Sequence, residues 1–255
     1  MNLRTQLARL KRRLFAKPFL KDERFPPFWM EQVFGGRKAS VIQIGSNDGK
    51  TGDPLHTLLH KNQQWEALFV EPVPYLFERL KGNYTDTKRF RFENAAIGKE
   101  EKLTFYWVDP AAKEQLTDLP YWYDQLGSFN KQHITTELGD RMEPFILSAE
   151  LESIGLTTLL DRHHITTIDI LHIDTEGHDW NILSQLDLEG FQPTFILFEA
   201  NHLSEDDLSA AIRFLGTRYE LYRIGIDMLA VAKDVDATVR QKMARHMSHP
   251  NNSAQ

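Results

Sequence analysis

Two stretches concentrate the side chains able to move a proton or hold a cation. LHIDTEGHDW, 171 to 180, carries Asp174, Glu176, His178 and Asp179, and FILFEANH, 195 to 202, carries Glu199, Asn201 and His202. Imidazole titrates near neutrality, which makes His178 the first candidate for a general base, with Asp174 and Glu199 as alternatives. Carboxylate oxygens suit magnesium or manganese, so Asp174, Glu176, His178 and Glu199 also form a candidate metal-ligand set. The simpler reading of Glu176 and Asp179 is as charges favoured at a helix N-terminus, and no metal is firmly expected. His172 sits mid-strand, where a core histidine is the simpler reading.

A third stretch, VIQIGSNDGKTGDPL at 41 to 55, runs a short apolar strand into a loop holding Gly45, Gly49 and Gly52. Asp53-Pro54 closes the loop with a cap residue and a proline suited to a first helical turn. Strand, glycine loop and helix make a nucleotide-sized crevice at a strand's carboxyl end. Asp48 in this loop, Glu71 after the second strand and Asn94 at the end of the third all fall on that edge. An acid at Glu71's position is the usual partner of ribose hydroxyls, so the pattern points to a nucleoside-containing ligand. A dinucleotide fits less well, because the Asp48 carboxylate would repel a pyrophosphate. A cation, such as the ammonium and sulfonium of S-adenosylmethionine, suits it better.

The elements that must position these groups alternate. The patterning predicts strands at 41–44, 67–70, 90–94 and 103–107, with helices at about 54–61 and 74–84. It resumes with a strand at 144–151, a helix at 157–164, a strand at 168–174, a helix from about 178 to 186 and a strand at 194–199. A Ser204-capped helix to Leu215 and two strands, 219–224 and 228–232, complete it. Such a rhythm implies a parallel sheet with helical crossovers and a final antiparallel hairpin. Residues 108–142, with Tyr121, Trp122 and Tyr123 together, break the rhythm and read as an insertion or lid. Residues 1–36 read as a helical extension, 37–235 as the main domain and 246–255 as a frayed tail.

The 255 residues carry a net charge of −6 and no cysteine. That charge argues against nucleic acid as a partner, and the missing thiols exclude disulfides and thiolate metal sites. No apolar run reaches the roughly 20 residues of a membrane span. A soluble cytoplasmic protein is the expectation. Residues 2–17 form an amphipathic pattern with Leu3, Leu7, Leu10 and Leu14 on one stripe and a basic remainder. This fits a helix packed on the domain, or one making peripheral contact with a membrane or partner.

QIGSNDG (43–49), FVEP (69–72), NAAIG (94–98), IDTEGHDWNIL (173–183) and FE (198–199) together resemble the FkbM family of S-adenosylmethionine-dependent methyltransferases. The resemblance runs from about residue 40 to 232. It implies an α/β, Rossmann-like class I methyltransferase fold with a seven-stranded, mostly parallel sheet. It also implies methyl transfer to a hydroxyl oxygen of a sugar, a glycan or a small natural product. Gly45, Asp48 and Gly49 would line the methionine part of the cofactor, with Ser46, Asn47 and Asp53 in the same wall. Glu71 and Pro72 would hold the ribose, Asn94 and Ala95 would border the adenine, and Asp174 would sit beside the transferred methyl. Ser128 would close over the cofactor. Gln43 stands where the family often has an acid, and Asp48 or Asp53 would compensate. A nicotinamide-dependent reductase and a non-catalytic binding module are the rival readings of the same crevice.

Overall fold

The computed structural model describes residues 19–248. The predicted N-terminal helix at 2–17 lies outside them.

The chemistry-bearing stretches end short, apolar strands. Continuous rather than alternating burial is what a sheet covered on both faces demands. Ala39–Ile44 (β1), Trp65–Val70 (β2) and Phe90–Glu93 (β3) are followed, outside the main sheet, by Lys102–Val108 (β4), Gly127–Ser128 (β5) and Ile146–Glu152 (β6). Ile170–Ile173 (β7), Phe195–Glu199 (β8), Tyr219–Ile224 (β9) and Asp227–Ala232 (β10) return to it. All four residues of β7 and all five of β8 are buried. The strand order is β3-β2-β1-β7-β8-β10-β9. The first five strands are parallel, and β10 runs antiparallel to both β8 and β9. The seven-stranded sheet with its closing hairpin is thus the one expected.

Helices cover both faces. Leu156–Arg162 (α6), Asp179–Leu183 (α7) and Glu205–Gly216 (α8) bury Leu159, Ile182 and Leu215 in one core. The opposite core takes Met30, Leu58, Leu80 and Met243 from four other helices: Pro26–Phe34 (α1), His56–Lys61 (α2), Pro74–Asn83 (α3) and Ala237–His246 (α9). Ser204 caps α8 by accepting from the Asp207 N–H, as its sequence spacing implied. The α1 aromatics cover the sheet, with Phe34 edge-on to Trp65 and Phe195.

Three expectations need correction. The strands predicted at 103–107 and 144–151 do not join the parallel sheet: β4 and β6 pair antiparallel with each other, and β5 adds to β4. With the short helix Ala112–Gln115 (α4) and Lys131–Leu138 (α5), they build a small lid around Val108, Leu119, Ile134 and Met142. Helix α9 follows the hairpin where no element was predicted, its start capped by Asp236. The chain is also ordered past 246: Met247 is buried and Ser248 is bridged to Arg223. The part of the predicted tail from 249 to 255 lies outside the described residues.

Candidate functional site

Gly45, Asp174 and Glu199 all fall at the carboxyl edge of adjacent strands β1, β7 and β8, and the backbone brings them close. The Asp174 N–H donates to the Ile44 carbonyl at 3.0 Å. A Cβ on Gly45, whose φ is +79°, would stand 1.8 Å from the Asp174 carbonyl oxygen. Only glycine fits there. Gly49 is dictated likewise by α3, since a Cβ would meet Leu80 and Tyr84 at 2.5 and 2.6 Å. Both glycines therefore answer first to the protein's own packing rather than to the close approach of a ligand.

Asp48 turns its carboxylate onto its own loop, accepting from the N–H groups of Lys50 and Thr51 and from the Thr51 hydroxyl. Among the described residues it lines neither cavity of the site. Glu71 lies deeper. Its two oxygens accept from the backbone N–H groups of Asn47 and Val73, each at 2.8 Å. Burial pushes its pKa up to about 7 against those two bonds, and the Asp174 and Asp48 charges add to the rise. Asp53, which accepts from the Leu55 N–H, is also pushed up to about 7 by burial. Asn94 donates to the carbonyls of Glu71 and Pro72, fastening the ends of β2 and β3 together. Ala96 and Ile97, rather than Asn94 and Ala95, face the cleft.

Two cavities meet along this edge. The smaller is lined by Glu71, Pro72, Val73, Ile97, Ser128 and His178 among others, a mostly apolar wall that also carries the carboxyls of Asp174 and Glu176. The larger, of about 340 Å³, is lined by Gln43, Asp53, Trp122, His172, His202 and Asp227 among others. Both include Gly45, Asn47, Gln125, Asp174 and Glu176, so these five residues form the passage between them. Ser46 belongs to the larger cavity, its hydroxyl donating to the Gln43 carbonyl and accepting from the Val70 N–H.

His178 directly precedes α7 and borders the smaller cavity, its ring 5.2 Å from that of Phe129, and burial holds its pKa below the usual imidazole value. It stands apart from the carboxylates: among the described residues, Asp174, Glu176 and Glu199 group together without it. The histidines that do approach Glu176 are His133, at 3.1 Å, and His202, at 3.3 Å. His202 lies in the stretch already singled out. His133 was missed, because nothing in its lid segment, LGSFNKQHITTEL, shows that the Asn130-capped α5 brings it to Glu176 in the turn after β7. Asp179 is fully buried and ties the turn together, accepting from the Thr175 N–H and hydroxyl and from the Glu199 N–H. Burial first, then Asp174, raises its pKa well above the ordinary value. His172, buried and lowered to about 4, stays neutral at physiological pH.

The sheet order, with an acid directly after the second strand and clefts over the carboxyl edge, is that of the class I methyltransferase fold. Residues 43–224 match the family described as Methyltransferase FkbM domain, and the chain belongs to that family. No curated protein matches by sequence. Similar solved structures include the N-methyltransferase NodS from Bradyrhizobium japonicum WM9 in complex with S-adenosyl-L-homocysteine. It is 8% identical, with 92% of this chain and 100% of that one covered, at a TM-score of 0.40. The METTL16 methyltransferase domain is 11% identical over 80% and 64% of the two chains, at 0.42. The precorrin-6Y C5,15-methyltransferase from Geobacter metallireducens GS-15 is 14% identical over 81% and 76%, at 0.35.

Proposed function

We propose that the protein transfers a methyl group from S-adenosylmethionine to a hydroxyl oxygen of a sugar, a glycan or a hydroxylated natural product. The observation that carries this reading is the junction at Asp174 and Glu176 between a small cleft lined by Glu71 and a larger cavity of about 340 Å³. The residues present fit the donor: Glu71 ends its strand with a carboxyl for ribose hydroxyls, and Val73, Ala96 and Ile97 offer an apolar seat for adenine. The donor supplies a methyl group made electrophilic by its sulfonium.

The chain's part is to hold, orient and deprotonate. A sugar hydroxyl is a weak nucleophile, so a proton acceptor within hydrogen-bond reach helps. Asp174, in the wall of both cavities, is our choice for that role, with His202 and Glu199 beside it. His178 borders the donor cleft, so we assign it to holding the donor rather than to taking the proton. Exposed Tyr121 and neighbouring Trp122 line the larger cavity, where flat aromatic faces suit a sugar ring. Gln43 and His172 add polar edges: Gln43 Oε1 and His172 Nδ1 are buried there without a protein partner.

The test is transfer of labelled methyl to a panel of hydroxyl, amine and carboxyl acceptors. A base-stable methyl ether is expected. Labelling confined to amines, or to a base-labile ester, would overturn the assignment. In the same assay Asp174→Asn should lower kcat at nearly unchanged S-adenosylhomocysteine affinity, whereas His178→Ala should weaken that affinity.

A further inference from the structure

Glu176 is held in an unusual place. Its φ is +53° and the next residue, Gly177, has φ +99°, in a turn that packs against His202. A Cβ on Gly177 would approach the His202 carbonyl oxygen at 3.2 Å. The turn thereby presents the Glu176 carboxylate to two imidazoles from separate parts of the fold: His133 from the lid helix α5 and His202 from just beyond β8. Their rings lie 4.8 Å apart at 87°.

We propose that His133, Glu176 and His202 bind a divalent first-row transition ion, with Asp174 and Glu199 as the neighbouring carboxylates. Donor atoms about 2.0–2.2 Å from a shared ion stand about 2.8–3.1 Å from one another in octahedral and about 3.3–3.6 Å in tetrahedral geometry. The two imidazole Nε2 atoms are 3.1 and 3.3 Å from Glu176 Oε2, within those ranges. The three carboxylates of Asp174, Glu176 and Glu199 also lie with their oxygens inside 4.8 Å of each other, and Glu199 is buried.

The wall nearby is prepared for a ligand too. His172, only 6% exposed, lines the same cavity as Asp174, Glu176 and His202, and its Nδ1 has no hydrogen-bond partner. Two imidazoles among the donors favour zinc or iron over magnesium, which prefers an all-oxygen shell. This set differs from the one expected from the sequence, Asp174, Glu176, His178 and Glu199, in taking His133 and His202 in place of His178. Three protein ligands leave positions for water or a substrate oxygen. The site lies where the proposed acceptor hydroxyl enters, and the ion's part in catalysis, though not its binding, rests on that reading.

The test uses the full chain, stripped with chelator and titrated with zinc by calorimetry and with cobalt by visible absorption. One equivalent should bind, and a cobalt spectrum should develop. His133→Ala and His202→Ala should each weaken zinc binding at least about tenfold, with S-adenosylhomocysteine affinity as the control for an intact fold. A wild-type protein that binds neither ion saturably would overturn the proposal, as would a His133→Ala/His202→Ala double variant that binds both as tightly as wild type. If the ions bind as expected but no hydroxyl acceptor is methylated, the site stands and the proposed acceptor class falls. If methylation proceeds at full rate in metal-free protein, the ion has no part in catalysis even where it binds.

Discussion

Glu71 is a carboxyl whose surroundings resist its ionisation, yet its role as a ribose partner is best served by the charged form. With its pKa at about 7, the charged acceptor is fully available only above neutrality. A hydrogen bond to a charged group is worth about 1.5–3 kcal/mol. Glu71→Gln should therefore weaken S-adenosylhomocysteine binding on the order of tenfold or more at pH 8. The gap between variant and wild type should narrow as pH falls through about 7, where the wild-type carboxyl becomes neutral. Equal affinities at pH 8, read by calorimetry, would remove Glu71 from that role. Gly45 makes a second prediction at this scale. A side chain at φ +79° costs about 1–3 kcal/mol before the clash with Asp174 is counted. Gly45→Ala should accordingly lower the denaturation midpoint even without ligand, and an unchanged midpoint would mean that the β1 and β7 loops part easily.

At the scale of elements, the lid divides what the sequence could tell from what it could not. The runs ending at Asp174 and Glu199 were legible because a strand buried on both faces is continuously apolar and its crevice follows from topology. The strand character of 102–108 was legible as well, but not its partner: half-exposed β4 carries a pattern that fits either sheet. Helix α9 escaped notice because Met243 is its one buried residue, too little for an apolar stripe. His133 escaped because its approach to Glu176 is a long-range consequence of lid packing. The lid's contribution can be separated from that of the sheet. Trp122 lines the larger cavity and not the smaller, so Trp122→Ala should raise the acceptor KM several-fold while leaving donor affinity as it was. Steady-state kinetics against calorimetry makes the comparison, and a parallel loss of donor binding would mean that the lid folds as one piece with the donor cleft.

Across the whole molecule, burial gathers acids of raised pKa along one edge of the sheet. Asp53 and Glu71 are pushed up to about 7 and Asp179 well above its usual value, with burial the leading cause for each and Asp48 or Asp174 adding to it. The sign follows from linkage: between the ordinary carboxyl range and about pH 7 the folded chain keeps protons that the unfolded chain has released. This contribution to stability is complete below about pH 4 and is lost as pH rises through about 7. A bound cation reverses the balance, because it favours the ionised carboxyls. The methyl donor carries a sulfonium charge that S-adenosylhomocysteine lacks, while the rest of the two ligands is alike. Saturating S-adenosylmethionine should therefore raise the melting temperature more than S-adenosylhomocysteine does, and the difference should grow from pH 6 to pH 8. His172, lowered to about 4 by burial, stays neutral over that range. Melting curves at pH 6, 7 and 8 with each ligand make the measurement. A difference that stays flat with pH would mean that the sulfonium sits outside the reach of these carboxyls.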